Sequence, residues 1–372
     1  MAKVKKRTWV TKQGESREAW VVDYSDQHGV HRLKTFELKK DAEAFKVTAQ
    51  HEVKLGTHTA ARTSKTLGET WELWIADSEA NGLERSTVRQ RRQLLTHHIK
   101  PFIGGLKLAE LNTPLLYEFD DKLRNAGRSL AMRRKVMVHM KTCIKFAQGR
   151  GYVAQNVALG VKIKSDTREA AKGPLRPGVD FPTMVELNAL IDSASGRLRP
   201  FIVTAIFTGM RLSELRGLRW SDVDLDTGVI HVRQRANAWG TMGPPKSRAG
   251  KRDIPLAPIV INTLRAWRPG SCGELVFGTR SDRPVAMSNF RVNEWEPLLR
   301  RAGMEDKYNF HLLRHAAASL FIAYLNWTPK RIQTVMGHSS VQMTFDLYGH
   351  LFEDKEADRE AMAKLEAAVR FA

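Results

Sequence analysis

The chain has 372 residues, of which 42% are hydrophobic and 8% aromatic. This composition is typical of folded protein and excludes wholesale disorder, and the length suffices for two or three domains. Lysine and arginine outnumber aspartate and glutamate by 60 to 40, which gives a formal net charge of +20. Because the excess is spread along the chain, it favours a large polyanionic partner, most simply nucleic acid.

Several other classes of protein are disfavoured. Cys143 and Cys272 are far apart and neither belongs to a CxxC pair, so neither a disulfide framework nor a zinc site is implied. No apolar run approaches membrane-spanning length, and the N-terminal MAKVKKRTW lacks the apolar segment of a signal peptide. No metal-ligand spacing is evident. We therefore expect a soluble, cytoplasmic protein without membrane partner, metal or cofactor.

Residues 1–57 are predicted to form a small N-terminal domain. Alternating residues indicate three strands, with Trp20, Val22 and Tyr24 on one face, and a helix after them. A three-stranded sheet can enter a DNA major groove, so this domain is predicted to be a second DNA contact; a solvated face on a small fold is the alternative. The strands are predicted over 6–11, 19–24 and 31–38, the helix over 41–55, and the contacts at Arg7, Arg32 and Lys34.

A polar linker, 58–66, is predicted to lead into a helical domain over 67–163. Apolar residues at three-to-four spacing indicate four helices, over 67–79, 86–97, 114–125 and 129–150. Their polar faces are strongly basic, as clamping of DNA phosphates requires, although any single residue could be merely solvated. The predicted DNA contacts of this domain are Arg89, Arg91, Arg92, Arg133, Arg134 and Lys141.

A second linker, 164–180, is basic and rich in glycine and proline, and it could let two bodies close around a duplex. The body after it, 181–350, begins with predicted helices over 183–194 and 199–208. Arg211 follows Gly209 at the head of another helix, where a charged residue beside a buried segment needs a partner. Two interpretations stay open: Arg211 binds phosphate, or it forms an ion pair with Glu214 or Asp222.

Strands are predicted over 229–234 and 253–256, and the loop between them carries Lys246 directly after two prolines. The stretch 310–350 is predicted to be helix, turn, helix, turn, helix. His311 and Arg314 are three apart and share a helix face. Thr328-Pro329 predicts a helix start and Gly337 its end. His338 then follows a helix end, and the last short helix delivers Tyr348.

The strings TGMRLSEL, PPKSRAGKRDIPL, FHLLRHAAAS and MGHSSVQMTFDLYGH resemble the tyrosine recombinases, in particular the phage and genomic-island integrases. The resemblance implies a mainly α fold with small β-sheets (α+β). Its parts would be an arm-type DNA-binding domain of three strands plus a helix, a helical core-binding (SAM-like) domain and a mixed α/β catalytic domain. The matching catalytic positions are Arg211, Lys246, His311, Arg314, His338 and Tyr348.

The resemblance also implies a reaction. Tyr348 would attack a DNA phosphodiester and form a 3′-phosphotyrosyl link, so that strands are rejoined without ATP to integrate or excise a mobile element. Arg211, Arg314 and His338 would hold the phosphate oxygens. His311 would accept the tyrosine proton or orient the phosphate.

Lys246 is the candidate acid for the departing 5′ oxygen, with Arg248, Lys251 and Arg252 competing in the same loop. Arg248 is also a predicted DNA contact. Glu214 is predicted to support Arg211. His315 and His350 are left out of the catalytic set, because a lone histidine more often has local hydrogen-bond partners than a catalytic role.

The implied partners are double-stranded DNA attachment sites and a homotetramer on DNA, with a possible excision factor and DNA-bending protein and nucleoid association when bound. A helix in the tail, 351–372, would dock on a neighbouring protomer or pack on its own domain. A Xer-like resolvase, a type IB topoisomerase and a catalytically silent DNA-binding regulator are the alternatives. The N-terminal domain argues against Xer, and intact Tyr348 argues against a silent regulator.

Overall fold

The computed structural model describes residues 2–11, 15–26, 29–54, 64–165, 175–349 and 355–370. The chain divides into two compact units, Met1–Glu169 and Ala170–Ala372. Most of the linker 58–66, the middle of the linker 164–180, His350 and the start of the predicted tail lie outside the described residues. The boundaries of the six predicted segments therefore stay a prediction.

The first unit begins with an antiparallel sheet in the order β1-β2-β3, covered by a helix. Val22 and Tyr24 project from β2 to the same side, because side chains alternate along a strand, and pack with Ala42 and Ala49 of the helix. Trp20 is partly buried against the same core, as predicted. The elements are β1 Lys3–Val10, β2 Ser16–Ser25, β3 His31–Phe36 and α1 Lys39–Lys54.

The helical part of this unit has a separate core around Trp71, Phe119 and Met140. Its first helix starts where Thr66 and Glu69 cap each other's backbone N–H groups, at 3.2 and 2.7 Å. Such caps are local, so the predicted helices lie close to the observed ones. The helices are α2 Leu67–Ala80, α3 Arg85–Leu94, the π-helical segment Leu95–Ile99, α4 Lys100–Ile103, α5 Thr113–Asn125 and α6 Leu130–Gly149.

The second unit is built around α8, an apolar helix buried on nearly all sides that packs against α10 and α13. Its helices are α7 Met184–Ser193, α8 Leu198–Thr208, α9 Leu212–Arg216, α10 Pro258–Trp267, α11 Met287–Phe290, α12 Glu296–Arg301, α13 Leu312–Leu325, α14 Pro329–Met336, α15 Val341–Tyr348 and α16 Lys355–Arg370. A π-helical segment, Arg291–Trp295, joins α11 to α12.

A small antiparallel sheet of order β4-β5-β8 lies in the same unit. It confirms the pairing of the two predicted strands, since Ile230 of β5 lies opposite Ile254 of β8. The loop between them contains a hairpin, β6–β7, that was not predicted. The strands are β4 Val223–Asp224, β5 Val229–Val232, β6 Arg235–Ala236, β7 Met242–Gly243 and β8 Arg252–Pro255. The mainly α fold with small sheets is confirmed.

Candidate active site

Two helix ends frame the site. Helix α8 ends at Gly209 and α14 ends at Gly337, each in the left-handed conformation with φ of 61° and 66° that glycine adopts without strain. The two ends pack tightly, since a Cβ on Gly209 would lie 2.7 Å from the sulfur of Met336. The last carbonyls of α14 have no partner within the helix and carry the negative end of its dipole.

Three arginines from three different elements bind these carbonyls. Arg252 begins β8, Arg211 precedes α9, and Arg314 lies in α13. The bonds run from Arg252 Nε to Val335 O at 2.6 Å, from Arg314 Nη2 to Met336 O, from Arg211 Nη2 to Gly337 O at 2.9 Å, and from Arg314 Nη1 to Gly209 O at 2.6 Å. The end of α14 therefore gathers three guanidinium groups at one point.

Glu214 supplies a carboxylate to this arginine cluster (Arg211, Arg252 and Arg314). Its side chain is only 2% exposed and accepts from Arg211 Nη1 at 2.8 Å and from Arg252 Nη2 at 2.8 Å. Burial raises the pKa of Glu214, but Arg252 and Arg211 outweigh it and hold the pKa at about 2. One carboxylate thus faces three guanidiniums, which leaves a positive excess.

The ion pair between Arg211 and Glu214 is one of the two alternatives weighed for Arg211, and the supporting role of Glu214 stays a prediction. The other acid considered, Asp222, instead accepts a long hydrogen bond from Gln234 at 3.5 Å. The Arg211 side chain keeps 35% of its surface exposed, so the ion pair and a ligand can engage it together.

His338 follows Gly337 directly, as predicted, and is buried. Its Nδ1 lies 2.9 Å from the hydroxyl of Thr344 on α15. Burial, with Arg314 and Arg211, lowers the pKa of His338 to about 3, so the ring is neutral at pH 7. A neutral ring fits a hydrogen-bonding role at this position.

Tyr348 is 1% exposed, although it ends a helix near the end of the described chain. Its hydroxyl lies 2.7 Å from Nδ1 of His315, and burial raises the pKa of the phenol. His311 precedes α13; its ring centroid lies 5.3 Å from that of His315. Burial, with Arg314 and Arg211, lowers the pKa of His311. The phenol thus lies within electrostatic reach of Arg314, one member of the arginine cluster.

The remaining predicted catalytic residue, Lys246, is exposed in the segment that joins β7 to β8, shortly before Arg248. Its role as an acid stays a prediction, as do the roles of the other five residues. Two further residues belong to the site: Arg252, considered in the sequence only as a competitor of Lys246, and His315, which the predicted catalytic set leaves out. A signal existed for Arg252, because strand alternation places it on the same inward face as Ile254.

Among the predicted DNA contacts of the helical domain, Arg133 does not lie on a solvated face, and Arg91 is half-buried. Arg133 is 1% exposed and its Nε binds Asp120 at 3.0 Å, so it belongs to the core rather than to a solvated face. Arg91 stacks 3.7 Å above the ring of Trp74 and donates to Ser78. Packing between helices uses the charge and the apolar stem of both arginines.

The other predicted contacts of this domain differ in how far intramolecular bonds occupy them. Lys141 donates to Val161 O at 2.8 Å and is half-buried, whereas Arg134 is exposed and reaches Ile163 O at 3.4 Å. Arg89 is exposed, and exposed Arg92 pairs with Glu79 at 2.7 Å.

On the N-terminal sheet, Arg7 is exposed, Arg32 pairs with Asp26 at 2.9 Å, and Lys34 lies 4.2 Å above the ring of Phe45. Arg248 of the catalytic unit is exposed. These placements leave Arg7, Arg89, Arg92, Arg134 and Arg248 as the exposed arginines among the predicted DNA contacts. None of the described helices is long and apolar enough to cross a lipid bilayer.

Residues 181–355 match the model of the "Phage integrase family", and residues 66–124 match "Phage integrase, N-terminal SAM-like domain". The chain is 24% identical to "Prophage integrase IntR" of Escherichia coli over 81% of this chain and 80% of that protein. It is 25% identical to an "Integrase" of Streptomyces ambofaciens, over 90% of each chain. It is 22% identical to a "Tyrosine recombinase XerC-like" of Caldanaerobacter subterraneus, over 95% of this chain and 97% of that protein.

Solved structures share the fold. The Tn1549 transposon integrase in complex with transposon right end DNA gives a TM-score of 0.66 at 18% identity, covering 81% of this chain and all of that one. A lambda integrase tetramer bound to a Holliday junction gives 0.57 at 18% identity, covering 90% and 95%.

The family match and the relatives, together with the shared fold, identify a tyrosine recombinase, an enzyme of DNA strand exchange. The two matched models together cover more than half of the sequence. The chain belongs to the phage integrase family.

Proposed function

We propose that this site-specific recombinase cuts DNA through Tyr348 and holds the broken strand as a 3′-phosphotyrosyl enzyme. The observation that carries the proposal is the buried phenol of Tyr348 in the unit where three guanidiniums face one carboxylate. A bound phosphodiester would supply negative charge that balances the excess positive charge of these guanidiniums. The relatives named integrase and prophage integrase support a role in integrating and excising a mobile element.

In the proposed reaction the Tyr348 oxygen attacks phosphorus and the 5′ oxygen departs. Charge spreads over the non-bridging oxygens in the transition state, where fixed donors act most strongly. Arg211 and His338 donate to these oxygens, and Arg314 contributes the field of a buried guanidinium. Lys246 protonates the leaving oxygen. The bond energy stays in the phosphotyrosine, so the reverse reaction rejoins strands without ATP.

Pre-organisation is the structural basis of this proposal. The guanidiniums already bind helix-end carbonyls and Glu214, so they need little reorganisation when the phosphate arrives. Loss of one such donor lowers the rate by about 10²–10³-fold in enzymes that stabilise oxyanions.

The proposed partners are double-stranded attachment sites and three further copies of the chain. The solved tetramer of lambda integrase on a Holliday junction supports the tetramer. Helix α16 exposes 64% of Met362 and 54% of Leu365, which supports docking of this helix on a neighbouring protomer over packing on its own unit. An excision factor and a DNA-bending protein are further proposed partners, deduced from the family resemblance.

A Xer-like resolvase is the second candidate. The XerC-like relative matches over nearly its full length, so the N-terminal domain does not by itself argue against this activity. Plasmids that carry one site of the element and one chromosomal site distinguish the two. An integrase joins two unlike sites, whereas a resolvase separates two identical ones.

The proposal is tested by trapping the covalent complex. Wild type and Tyr348→Phe are incubated with DNA from the junction of the element, nicked near the crossover so that the freed strand diffuses away, in EDTA and without ATP. A slow band on a denaturing gel is expected in wild type alone. A band of equal strength in Tyr348→Phe would show that another residue is the nucleophile.

A further inference from the structure

Helix α15 is held in the site by two hydrogen bonds between hydroxyl groups and imidazole rings. Thr344 and Tyr348 lie four residues apart and therefore on one face of the helix. Thr344 Oγ1 lies 2.9 Å from Nδ1 of His338, and the Tyr348 hydroxyl lies 2.7 Å from Nδ1 of His315. All of these groups are buried or half-buried. The position of the phenol is therefore fixed at two points one helical turn apart.

The protonation states of Tyr348 and His315 are compatible with a hydrogen bond that runs from the phenol to the imidazole. Burial, with His311 and then Arg314 adding to it, lowers the pKa of His315 to about 4. Burial also raises the pKa of the Tyr348 phenol. At neutral pH the imidazole is therefore uncharged and the phenol protonated. In the Nε2–H tautomer of the ring the phenol O–H donates and Nδ1 accepts, and proton transfer to His315 uses this tautomer. This is the geometry of a general base bound to its proton source.

We propose that His315 accepts the phenolic proton when Tyr348 attacks the DNA phosphate. This inference rests on the proposed function of Tyr348. It replaces the expectation that His311 could take the proton, since the ring that bonds the hydroxyl in the structure belongs to His315. His315 is thereby a catalytic residue that the sequence motif does not mark.

The step balances within the site. The O–H bond of Tyr348 breaks, an N–H bond forms at Nδ1 of His315, the Tyr348 oxygen bonds to phosphorus, and the bond from phosphorus to the 5′ oxygen breaks. The 5′ oxygen leaves with a proton from a separate donor, for which Lys246 is proposed. In the rejoining reaction His315 returns its proton to the departing phenol, so no further reactant is consumed.

The surroundings of His315 explain why the base is activated only on DNA. In the described chain its electrostatic neighbours are dominated by positive groups, and a bound phosphodiester opposes them with a negative charge. A nearby negative charge favours the imidazolium, so DNA binding raises the basicity of His315. The titratable and charged groups near the His315 ring are His311, Arg314 and Asp180. Tyr348 and His338, which lie outside α13, also face it.

The test compares His315→Asn with the matched control His311→Asn. Asparagine places an oxygen close to the position of Nδ1, so it keeps a hydrogen-bond acceptor for the phenol and removes only the basicity. Single-turnover formation of the covalent complex is measured from pH 5.5 to 9.5 on the nicked DNA. At pH 7 a loss of about 10²-fold is expected for His315→Asn, within the range of general base catalysis.

The pH profile distinguishes a base from a merely structural residue. With His315→Asn the rate is expected to keep rising with pH toward the ionisation of the phenol. His311→Asn, at a proposed catalytic position, is expected to lower the rate at every pH and to keep the shape of the wild-type pH profile. Incorporating 3,5-difluorotyrosine at position 348 lowers the pKa of the phenol. This substitution is expected to reduce, at least tenfold, the loss of rate that His315→Asn causes at pH 7.

Two results would overturn the inference. One is a His315→Asn enzyme with wild-type rates and profile. The other is a loss of rate in His315→Asn that is equal at every pH and unchanged by 3,5-difluorotyrosine at position 348, which would assign His315 a packing role. Absence of a covalent complex in wild type is a different result, because it would reject the proposed function of Tyr348 itself and this inference with it.

Discussion

Buried arginines occur in both units, and their surroundings differ. In the helical part of the first unit, buried Arg133 meets buried Asp120, so charge is matched within the pair. In the second unit Arg211 and Arg252 share the carboxylate of Glu214, and these two residues and Arg314 also donate to helix-end carbonyls. The first arrangement is complete without a ligand. The second lacks negative charge.

The difference shows that burial of an arginine does not identify a functional site. A matched pair stabilises packing, and breaking it leaves an uncompensated buried charge. An excess of guanidiniums over carboxylates, held by neutral carbonyl dipoles, creates a site for an anion. Substitutions of the arginines in the two regions should therefore have opposite signatures. In the second unit they should lower activity without a large loss of stability, and in the first unit they should lower stability without loss of intrinsic activity.

The largest expected effect is on catalysis by Arg314→Lys. Lysine keeps the charge but cannot bridge the carbonyls of Gly209 and Met336 with a planar fork, so the charge loses its fixed position. Covalent complex formation should fall about 10³-fold. Single-turnover trapping measures it, with circular dichroism and a gel shift as controls for folding and DNA binding. A rate within threefold of wild type would refute the role of the fork.

The next effect is on stability, from Arg133→Met. It leaves the buried carboxylate of Asp120 without its main partner and should reduce the free energy of unfolding by about 3–5 kcal/mol. Urea unfolding followed by tryptophan fluorescence measures it. The double variant with Asp120→Leu should regain most of the loss, and the covalent trapping rate per folded molecule should match wild type. A large loss of rate in the folded double variant would instead indicate a functional Arg133.

Glu214→Gln tests the charge excess directly. It removes the carboxylate from the arginine cluster and should lower stability by about 3 kcal/mol. Added sulfate should restore part of this loss, because an anion that binds the folded state alone stabilises it.

Thermal melts with sulfate or chloride at equal ionic strength measure this anion effect. The matched variant in the first unit, Asp120→Asn, should show no restoration beyond that of wild type. Equal responses of the two variants to sulfate would remove the distinction between the two regions.

Acid should weaken the second unit through His338 and His315, whose pKa values are lowered to about 3 and about 4. In the unfolded chain both rings take up protons near pH 6.5. The unfolded state therefore binds more protons below that pH, and stability falls as the pH drops from 6.5 toward 4. Urea midpoints over this range measure the decline, which should be shallower in His338→Asn. A midpoint that is constant from pH 7 to 4.5 would contradict the prediction.

The smallest effect is expected on the exposed helices of the first unit. Arg89→Ala should weaken DNA binding uniformly across sequences and reduce the slope of log affinity against log salt by about 1. Arg92→Ala should do less, because Glu79 already pairs with that guanidinium. Fluorescence anisotropy with labelled duplex between 50 and 300 mM salt measures both. Equal slopes for wild type and Arg89→Ala would exclude Arg89 as a phosphate contact.

Much of this architecture could be predicted because its signals are local. The capping pair Thr66 and Glu69, the Thr328-Pro329 start of α14 and its glycine end lie within a few residues of the helices that they delimit. The alternation of Val22 and Tyr24 similarly predicts the covered face of the N-terminal sheet. The helix boundaries could be predicted because capping residues, proline and glycine act on neighbours in the chain.

The environment of long polar side chains could not be predicted in this way. Arg133 was assigned to a DNA-facing surface because its partner Asp120 lies on another helix, 13 residues away. The sequence does not predict that Arg252 meets Glu214 or that His315 meets Tyr348, because these partners are 38 and 33 residues apart in the chain. Hydrophobic periodicity predicts which face of a helix is apolar, but not which charges meet across helices.

The sequence by itself determined the family, the order of the motif residues and the ends of most helices, since these depend on residue identity and neighbours along the chain. Tertiary structure alone decided that three arginines meet the end of α14 and that the Tyr348 hydroxyl bonds His315 rather than His311. The physical reason is that burial and pairing of charge depend on distances between elements far apart in sequence.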